Sequence, residues 1–369
     1  METKTEKIRY AVVGAGNIAQ VAVLPAFAHA SENSELVALI SSDDEKRKEL
    51  GRKYGIEAGG DYDQLEQVLE DADVDAVYIA LPNHLHRSFT ERCARAGVHV
   101  LCEKPMALSV ADCEAMIDVT RDAGVKLMVA YRLHFEEGNL SALQAVRDGI
   151  IGDPKLFSSV FTHDVKPGDI RTSSEAGGGA LYDLGPYCVN AARSLFGDEP
   201  IEVFGWSIVG RDPRFAEVDE TTTALLRFPD DRIAQFTVGQ SAASVSEYRI
   251  AGDKGDLRLD PAYDFRGELR QFLTVDEKTA TKTFEPRDQF APELVYFSQC
   301  ILDDEDPEPS GEEGLCDVRV LEAITESTRT SRPITLPRYA RTKHPDPSQE
   351  MKKPPAPEVE PVKAPSPSR

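Results

Sequence analysis

The chain has 369 residues, 41% of them hydrophobic, with 42 Lys and Arg against 64 Asp and Glu and a formal net charge of −22. That length fits two domains rather than one core, and the negative charge disfavours nucleic acid and anionic membranes as partners. No run approaches the roughly 20 apolar residues of a membrane span, and the opening METKTEKIRY has no signal-peptide pattern, so a cytoplasmic protein is expected.

Apolar runs at 8–13, 36–40, 75–81, 98–102 and 126–130 predict strands, and helical patterns at 44–53, 62–70, 85–96 and 109–123 lie between them. This alternation predicts a parallel sheet covered on both faces, in a first domain at 7–130 behind an N-terminal extension at 1–6. Beyond residue 130 the pattern changes. Helices are predicted at 139–148 and 178–196, strands at 155–163, 201–209, 221–228, 232–240 and 246–251, and a turn at the DKG of 253–255. Further helices follow near 290–303 and 315–329. The second domain, 131–338, is therefore expected to be α+β with an open, mostly antiparallel sheet. Residues 339–369 are Pro-rich with few apolar anchors and are expected to be disordered. Cys93, Cys102, Cys113, Cys188, Cys300 and Cys316 form no close CxxC pair, which points to buried free thiols and to no metal.

The first strand runs into Gly14-Ala15-Gly16-Asn17-Ile18-Ala19, a G-x-G-x-x-A turn between strand and helix. Its glycines permit a tight turn and close approach of a pyrophosphate to the helix N-terminus, so an α/β Rossmann domain binding a dinucleotide is expected. The second strand ends in Ser41-Ser42 where an NAD site usually carries an acid, and Lys46 follows; hydroxyls and a cation suit the 2′-phosphate of NADP. Asp43 and Asp44 leave two alternatives open, helix capping or binding ribose hydroxyls, and Arg47 reads as a solvated helix face. Leu81, Pro82, Asn83 and His86 follow a parallel strand, where polar groups face the ligand crevice; Asn83 is also placed to cap the next helix, and His84 reads as a surface residue. Glu103-Lys104-Pro105 ends the next strand. Oxidation of a hydroxyl-bearing carbon needs a proton acceptor and gains from a cation, a role that suits Lys104. In GGGALYDLGPY, Asp183 and Tyr187 are four residues apart and share one face if helical. The alternative there is a helix cap and an edge-packed ring.

Taken with CEKPMALSVADCEAMID, YRLHFE, FGDEPIEVFG and GEEGLCDVRVLEAI, these segments resemble the glucose-fructose oxidoreductase and inositol dehydrogenase family over about residues 7–335. The resemblance implies that Lys104 lies beside nicotinamide and substrate, with Asp183 as a partner. It implies Tyr187 where many members carry His, and Tyr131, Arg132 and Arg171 as further site residues. Glu103 and Arg132 are expected to border the cofactor, and Tyr131 and Arg171 the substrate. Ser41, Lys46 and Tyr187 match the glucose-fructose oxidoreductase branch, which uses NADP. The family's periplasmic member has an export signal and an N-terminal arm over its NADP, and this sequence shows neither. The expected activity is accordingly NADP-dependent oxidation of an aldose at C1 to its lactone, with Tyr187 accepting the proton, Lys104 supplying the positive charge and Asp183 orienting the sugar. Open alternatives are a coupled aldose–aldose or glucose–fructose cycle on retained NADP, an NAD-linked polyol dehydrogenase, and a non-catalytic NADP or sugar sensor. The resemblance also implies a homodimer or homotetramer through the C-terminal sheet.

Overall fold

The computed structural model describes residues 7–210, 212–341 and 343–368; the extension at 1–6 lies outside the described residues. Six strands form the first sheet: β1 (Ile8–Val13), β2 (Ser34–Ile40), β3 (Ala58–Gly60), β4 (Ala76–Ile79), β5 (His99–Glu103) and β6 (Leu127–Ala130). All pair in parallel in the order β3-β2-β1-β4-β5-β6, with a π-helical turn (Ala19–Val23) and helices α1 (Leu24–Ala26), α2 (Asp44–Tyr54), α3 (Leu65–Asp71), α4 (His86–Arg95) and α5 (Val110–Ala123) in the connections. The strands read as apolar runs because both faces are covered. β3, only three residues (AGG), has no such run and escapes a reading by pattern.

Connections leave β1 toward β2 on one side and reach β4 on the other, so the end of β1 is the switch point where α/β sheets bind ligands. Gly14 occupies it. Its φ is +104° and a Cβ there would collide with the Ala80 carbonyl, so no other residue fits this turn.

The chain continues through α6 (Glu137–Arg147), β7 (Pro154–Asp164), α7 (Ala180–Phe196), β8 (Glu202–Ile208), β9 (Thr221–Arg227), β10 (Ile233–Gly239), β11 (Ser241–Gly252), β12 (Gly255–Leu259), β13 (Leu269–Val275) and β14 (Lys278–Phe284). Then come α8 (Ala291–Leu302), α9 (Gly311–Thr330) and β15 (Ile334–Thr335). The second sheet runs β14-β13-β12-β11-β7-β10-β9-β8-β15. β7 and β10 pair in parallel and the other described neighbours are antiparallel, as the α/β-then-α+β reading expects. The turn at Asp253-Lys254 joins β11 to β12. β14 was unread because KTATKTF is almost wholly exposed and shows no apolar alternation. One face buries Leu184, Val189, Phe236 and Leu321. The opposite face exposes Leu156, Leu225, Ile233, Trp206 and Ile208, the last two at 61% and 60%.

The halves interlock. From α8, Leu294 and Phe297 join the core of the first sheet, and Ser298 Oγ lies 2.9 Å from Tyr10 Oη of β1. α9 buries Val318 with the first sheet and Leu321 with the second. It thereby closes the angle between them.

The Pro-rich segment departs from its expectation. Instead of being disordered it lies along the body as an extended strand of chain. Arg341 is buried between Glu199 and Glu313, Gln349 Nε2 donates to Glu308 O at 2.6 Å, and Lys353 pairs with Glu32 at 2.6 Å. Met351, Val359 and Val362 pack against the first core. Prolines restrict the unfolded chain, so ordering this segment costs less entropy than its composition implies, and few anchors suffice.

Arg341 completes an internal ion network. Arg193, wholly buried on α7, meets Glu199 at 2.8 Å, Glu313 at 3.0 Å and Asp317. Removing one partner strands the rest without compensation. Arg193→Met should lower stability by about 3–5 kcal/mol, read as a lower urea midpoint; a midpoint within error of the parent would show the network to be dispensable.

Candidate active site

The EKP turn and the N-terminal half of α7 meet above the carboxyl ends of β4 and β5. Lys104, the residue after β5, reaches across to donate from Nζ to the main-chain carbonyl of Asp183 at 2.9 Å. The same ammonium lies 4.0 Å from Asp183 Oδ1 and 4.6 Å from the centroid of the Tyr187 ring. Asp183 and Tyr187 share a face of α7, as their spacing requires. The glycines before α7 make the approach possible: Gly179 has φ +108° and donates to Arg171 O at 2.9 Å, and a Cβ on it would collide with Asp219. Lys104, Asp183 and Tyr187 are therefore one cluster.

Asp183 is the most heavily partnered member. Its Oδ2 accepts from Arg171 Nε and from Gln240 Nε2, both at 2.9 Å, and lies 3.7 Å from His163 Nε2. Burial alone would raise this carboxyl, but Arg171, Lys104 and His163 outweigh it and hold it at about 2. Burial opposes the charge on Arg171 too; Asp183 and Asp169, the latter 3.1 Å away, override it and raise the guanidinium. His163 is kept below its usual value by burial, against the pull of Asp183. Gln240 Oε1 and His163 Nε2 are buried without a hydrogen-bond partner among the described residues. Neither residue was anticipated from sequence; a lone His or Gln at a strand end carries no pattern, and only the pairing of β7 and β11 brings them to Asp183.

Tyr187 is half-buried, edge-on to Phe161 with centroids 5.4 Å apart, and 5.8 Å from the Tyr263 ring. Arg132 lies over the ring at 5.1 Å, with its guanidinium bonded to Gln289 and to the Tyr263 carbonyl. Arg132 is 5% exposed and, so engaged, holds the Tyr187 ring in place. Tyr131 is 6% exposed, stacks on His134 at 5.5 Å and packs in the first core with Val129 and Val318. With Lys104 and Tyr187 it lines a cavity of about 40 Å³. Arg171 lies on the Asp183 side, partly exposed.

The cofactor end fits a dinucleotide. Gly16 is exposed, and a Cβ on it would meet nothing within 4 Å, which leaves its backbone open to a close-lying phosphate. Asn17 and Ile18 follow, both half-buried. Leu81 packs over the Gly14 turn and Pro82 comes next, half-buried. Asn83 Nδ2 is bonded at 2.9 Å to the Gly177 carbonyl, so it ties the loop after β4 to the glycine segment rather than capping a helix. His86 is fully buried, with its ring nitrogens 2.9 Å from the carbonyls of Pro105 and Leu81, and so braces two loops. Glu103 accepts from Tyr78 Oη at 2.9 Å and from the Lys104 N–H at 3.3 Å, contacts that brace the EKP turn.

After β2, Ser41 is buried and Ser42 exposed. Asp43 resolves the ambiguity about capping. Its carboxylate accepts from Lys46 N at 3.1 Å as the cap of α2, a bond that is also the main reason its pKa falls. Arg47, read as a solvated face, instead donates to the Ser41 carbonyl and pairs with Asp44 at 3.2 Å, fixing the turn that presents the serines.

No group in the Lys104 cluster accepts a hydride, and the open glycine turn beside it is built to hold one that does: the chain is a two-domain, dinucleotide-dependent oxidoreductase. Residues 8–131 match the model of an oxidoreductase family with an NAD-binding Rossmann fold, and residues 139–258 match the GFO/IDH/MocA C-terminal domain. The protein belongs to the GFO/IDH/MocA oxidoreductase family. It is similar to the aldose-aldose oxidoreductase of Caulobacter crescentus, at 39% identity over 90% of this chain and 100% of that one, with a TM-score of 0.86. It is also similar to the D-xylose 1-dehydrogenase [NADP(+)] of Haloarcula marismortui, at 30% identity over 91% of this chain and 95% of that protein. A third relative is KijD10, a 3-ketoreductase from Actinomadura kijaniata solved with NADP and TDP-benzene, at 30% identity over 87% of this chain and 98% of that one, with a TM-score of 0.80.

Because the Asp183 pKa is depressed in the fold, from an ordinary 3.8 to about 2, the stability it adds is complete above pH 3.8 and vanishes as pH falls through about 2. Asp183→Asn should therefore lose about 2 kcal/mol at pH 7, a gap that closes as the pH approaches 2. Urea titrations at several pH values check this, and a gap independent of pH would contradict it.

Proposed function

We propose that the protein is an NADP-dependent sugar oxidoreductase that oxidises an aldose at C1 to its lactone. The observation that carries this reading is the Lys104 ammonium held between Asp183 and the ring of Tyr187, beside the open Gly16 turn. The turn at Gly14 and Gly16 holds the pyrophosphate, Asn17 and Ile18 border it, and Leu81, Pro82 and Asn83 line the wall after β4. Ser41, Ser42 and Lys46 read the 2′-phosphate, which the turning of Asp43 into α2 leaves unopposed. NADP bound there supplies the hydride acceptor.

The residues of this chain do the remainder. Tyr187, acting as its phenolate, takes the proton of the C1 hydroxyl as the hydride leaves C1. Lys104 Nζ balances the charge of the phenolate before transfer and the charge that develops on the sugar oxygen, from a site largely withdrawn from water where such charge is worth most. Asp183, kept ionised by Arg171, orients a neighbouring hydroxyl through its free Oδ1. The unpartnered atoms of His163 and Gln240 give further sites for sugar hydroxyls, whose loss in a deoxy substrate would leave them unsatisfied. Two sheets bearing the exposed Trp206, Ile208 and Leu156 faces pack together in a dimer, as apolar exposure of this kind favours.

Lys104→Met should reduce kcat at least about tenfold with every sugar the parent accepts, since a positioned charge is removed; undiminished turnover refutes the role. Aldoses and polyols assayed with NADP and NAD should show aldose with NADP as the best pair and a lactone as product, whereas a polyol with NAD as the best pair would contradict the reading. Sedimentation at micromolar concentration should give at least a dimer mass, and a monomer would exclude the sheet-to-sheet assembly.

A further inference from the structure

The end of the chain bridges the two walls of the cofactor cleft. On the first wall, Gln20 exchanges two bonds with the backbone of Val362, at 2.7 and 3.0 Å, and Asn17 Nδ2 donates to Ala364 O at 2.8 Å. Asn17 follows directly on Gly16, and Gln20 lies in the turn of helix after it. On the second wall, Lys166 N donates to Pro367 O at 2.7 Å, Lys166 Nζ reaches Ser366 O at 3.0 Å, and Val165 bridges Ser368. Lys166 belongs to the loop that carries Asp169 and Arg171 to Asp183. At about 3.1 Å per residue for extended proline-rich chain, Val362–Ser368 spans roughly 19 Å.

We propose that this segment is a strap that closes over the bound dinucleotide and slows its release. The proposal rests on reading the Gly14–Gly16 turn as the NADP site. The strap roofs the turn and does not fill it: Gly16 stays exposed, with open space above its Cα. Lys363 lies beside the cap of α2, paired with Glu45 and within the field of Asp43, and so brings a cation to the end where the 2′-phosphate is read. Pro361, Pro365 and Pro367 stiffen the segment, and the upstream anchors at Arg341, Met351 and Lys353 keep it close to the cleft after it opens.

The test compares the full chain with one ending at Glu360, which keeps those anchors. Protein loaded with NADPH is mixed with excess NADP, and loss of bound-nicotinamide fluorescence gives the release rate. The full chain should release NADPH at least tenfold more slowly. Equal rates overturn the strap, and so does tighter binding by the shortened chain, which would show a segment that occupies the site. Failure of both chains to bind NADPH would instead refute the cofactor reading on which the strap rests. Lys363→Ala, which leaves the strap in place, gives an independent arm should the shortened chain not fold. Its Kd for NADP should rise at least threefold with that for NAD unchanged, and an equal change in both, or none, counts against the strap as part of the cofactor site.

Discussion

One hydrogen bond organises the molecule: Lys104 Nζ to the main-chain carbonyl of Asp183. Lys104 ends a strand of the first sheet and Asp183 opens a helix packed on the second, so the bond fixes the distance between the halves at the place where chemistry is proposed. A side-chain partner would compete with substrate for the ammonium. A main-chain carbonyl holds the ammonium in place, facing Tyr187. The surrounding features serve this geometry: Glu103 and His86 brace the EKP turn, Asn83 ties down the glycine segment, and Arg132 presses on the far side of the Tyr187 ring.

Charge is handled locally. The whole chain carries −22, yet the site sets Lys104 and Arg171 against one ionised carboxylate, with Lys46 and Lys363 at the other end of the cofactor turn. Screening confines the general negative field to roughly 10 Å in ordinary salt, so these near cations decide what binds. The buried Arg193 network uses the same device for structure. It joins α7, α9 and the tail through Glu199, Glu313, Asp317 and Arg341, and thereby fixes the helix that carries Asp183 and Tyr187.

The parallel sheet, the glycine turn and the Lys104–Asp183–Tyr187 cluster were legible in the sequence because each rests on local spacing: a strand before Gly14, a proline after Lys104, a helical repeat between Asp183 and Tyr187. Contacts made by long-range pairing were not legible. His163 and Gln240 come to Asp183 only through the register of the second sheet, and Gln20 meets Val362 across most of the chain. Burial was not legible from motif position either: His86, Tyr131 and Arg132 stand at the expected places and are turned into the interior. The tail was misjudged on composition, which measures the lack of apolar anchors and not the small entropy left for prolines to lose.

The central claim is that Lys104 and Tyr187 act as one unit, the cation stabilising the phenolate that accepts the proton and the charge that develops on the sugar oxygen. A double-mutant cycle in kcat/KM, with Lys104→Met, Tyr187→Phe and the pair combined, tests it most directly, because groups that act together lose their effect together. The account predicts a double variant about as slow as the worse single variant. Losses that simply multiply would mean two independent contributions and would contradict it.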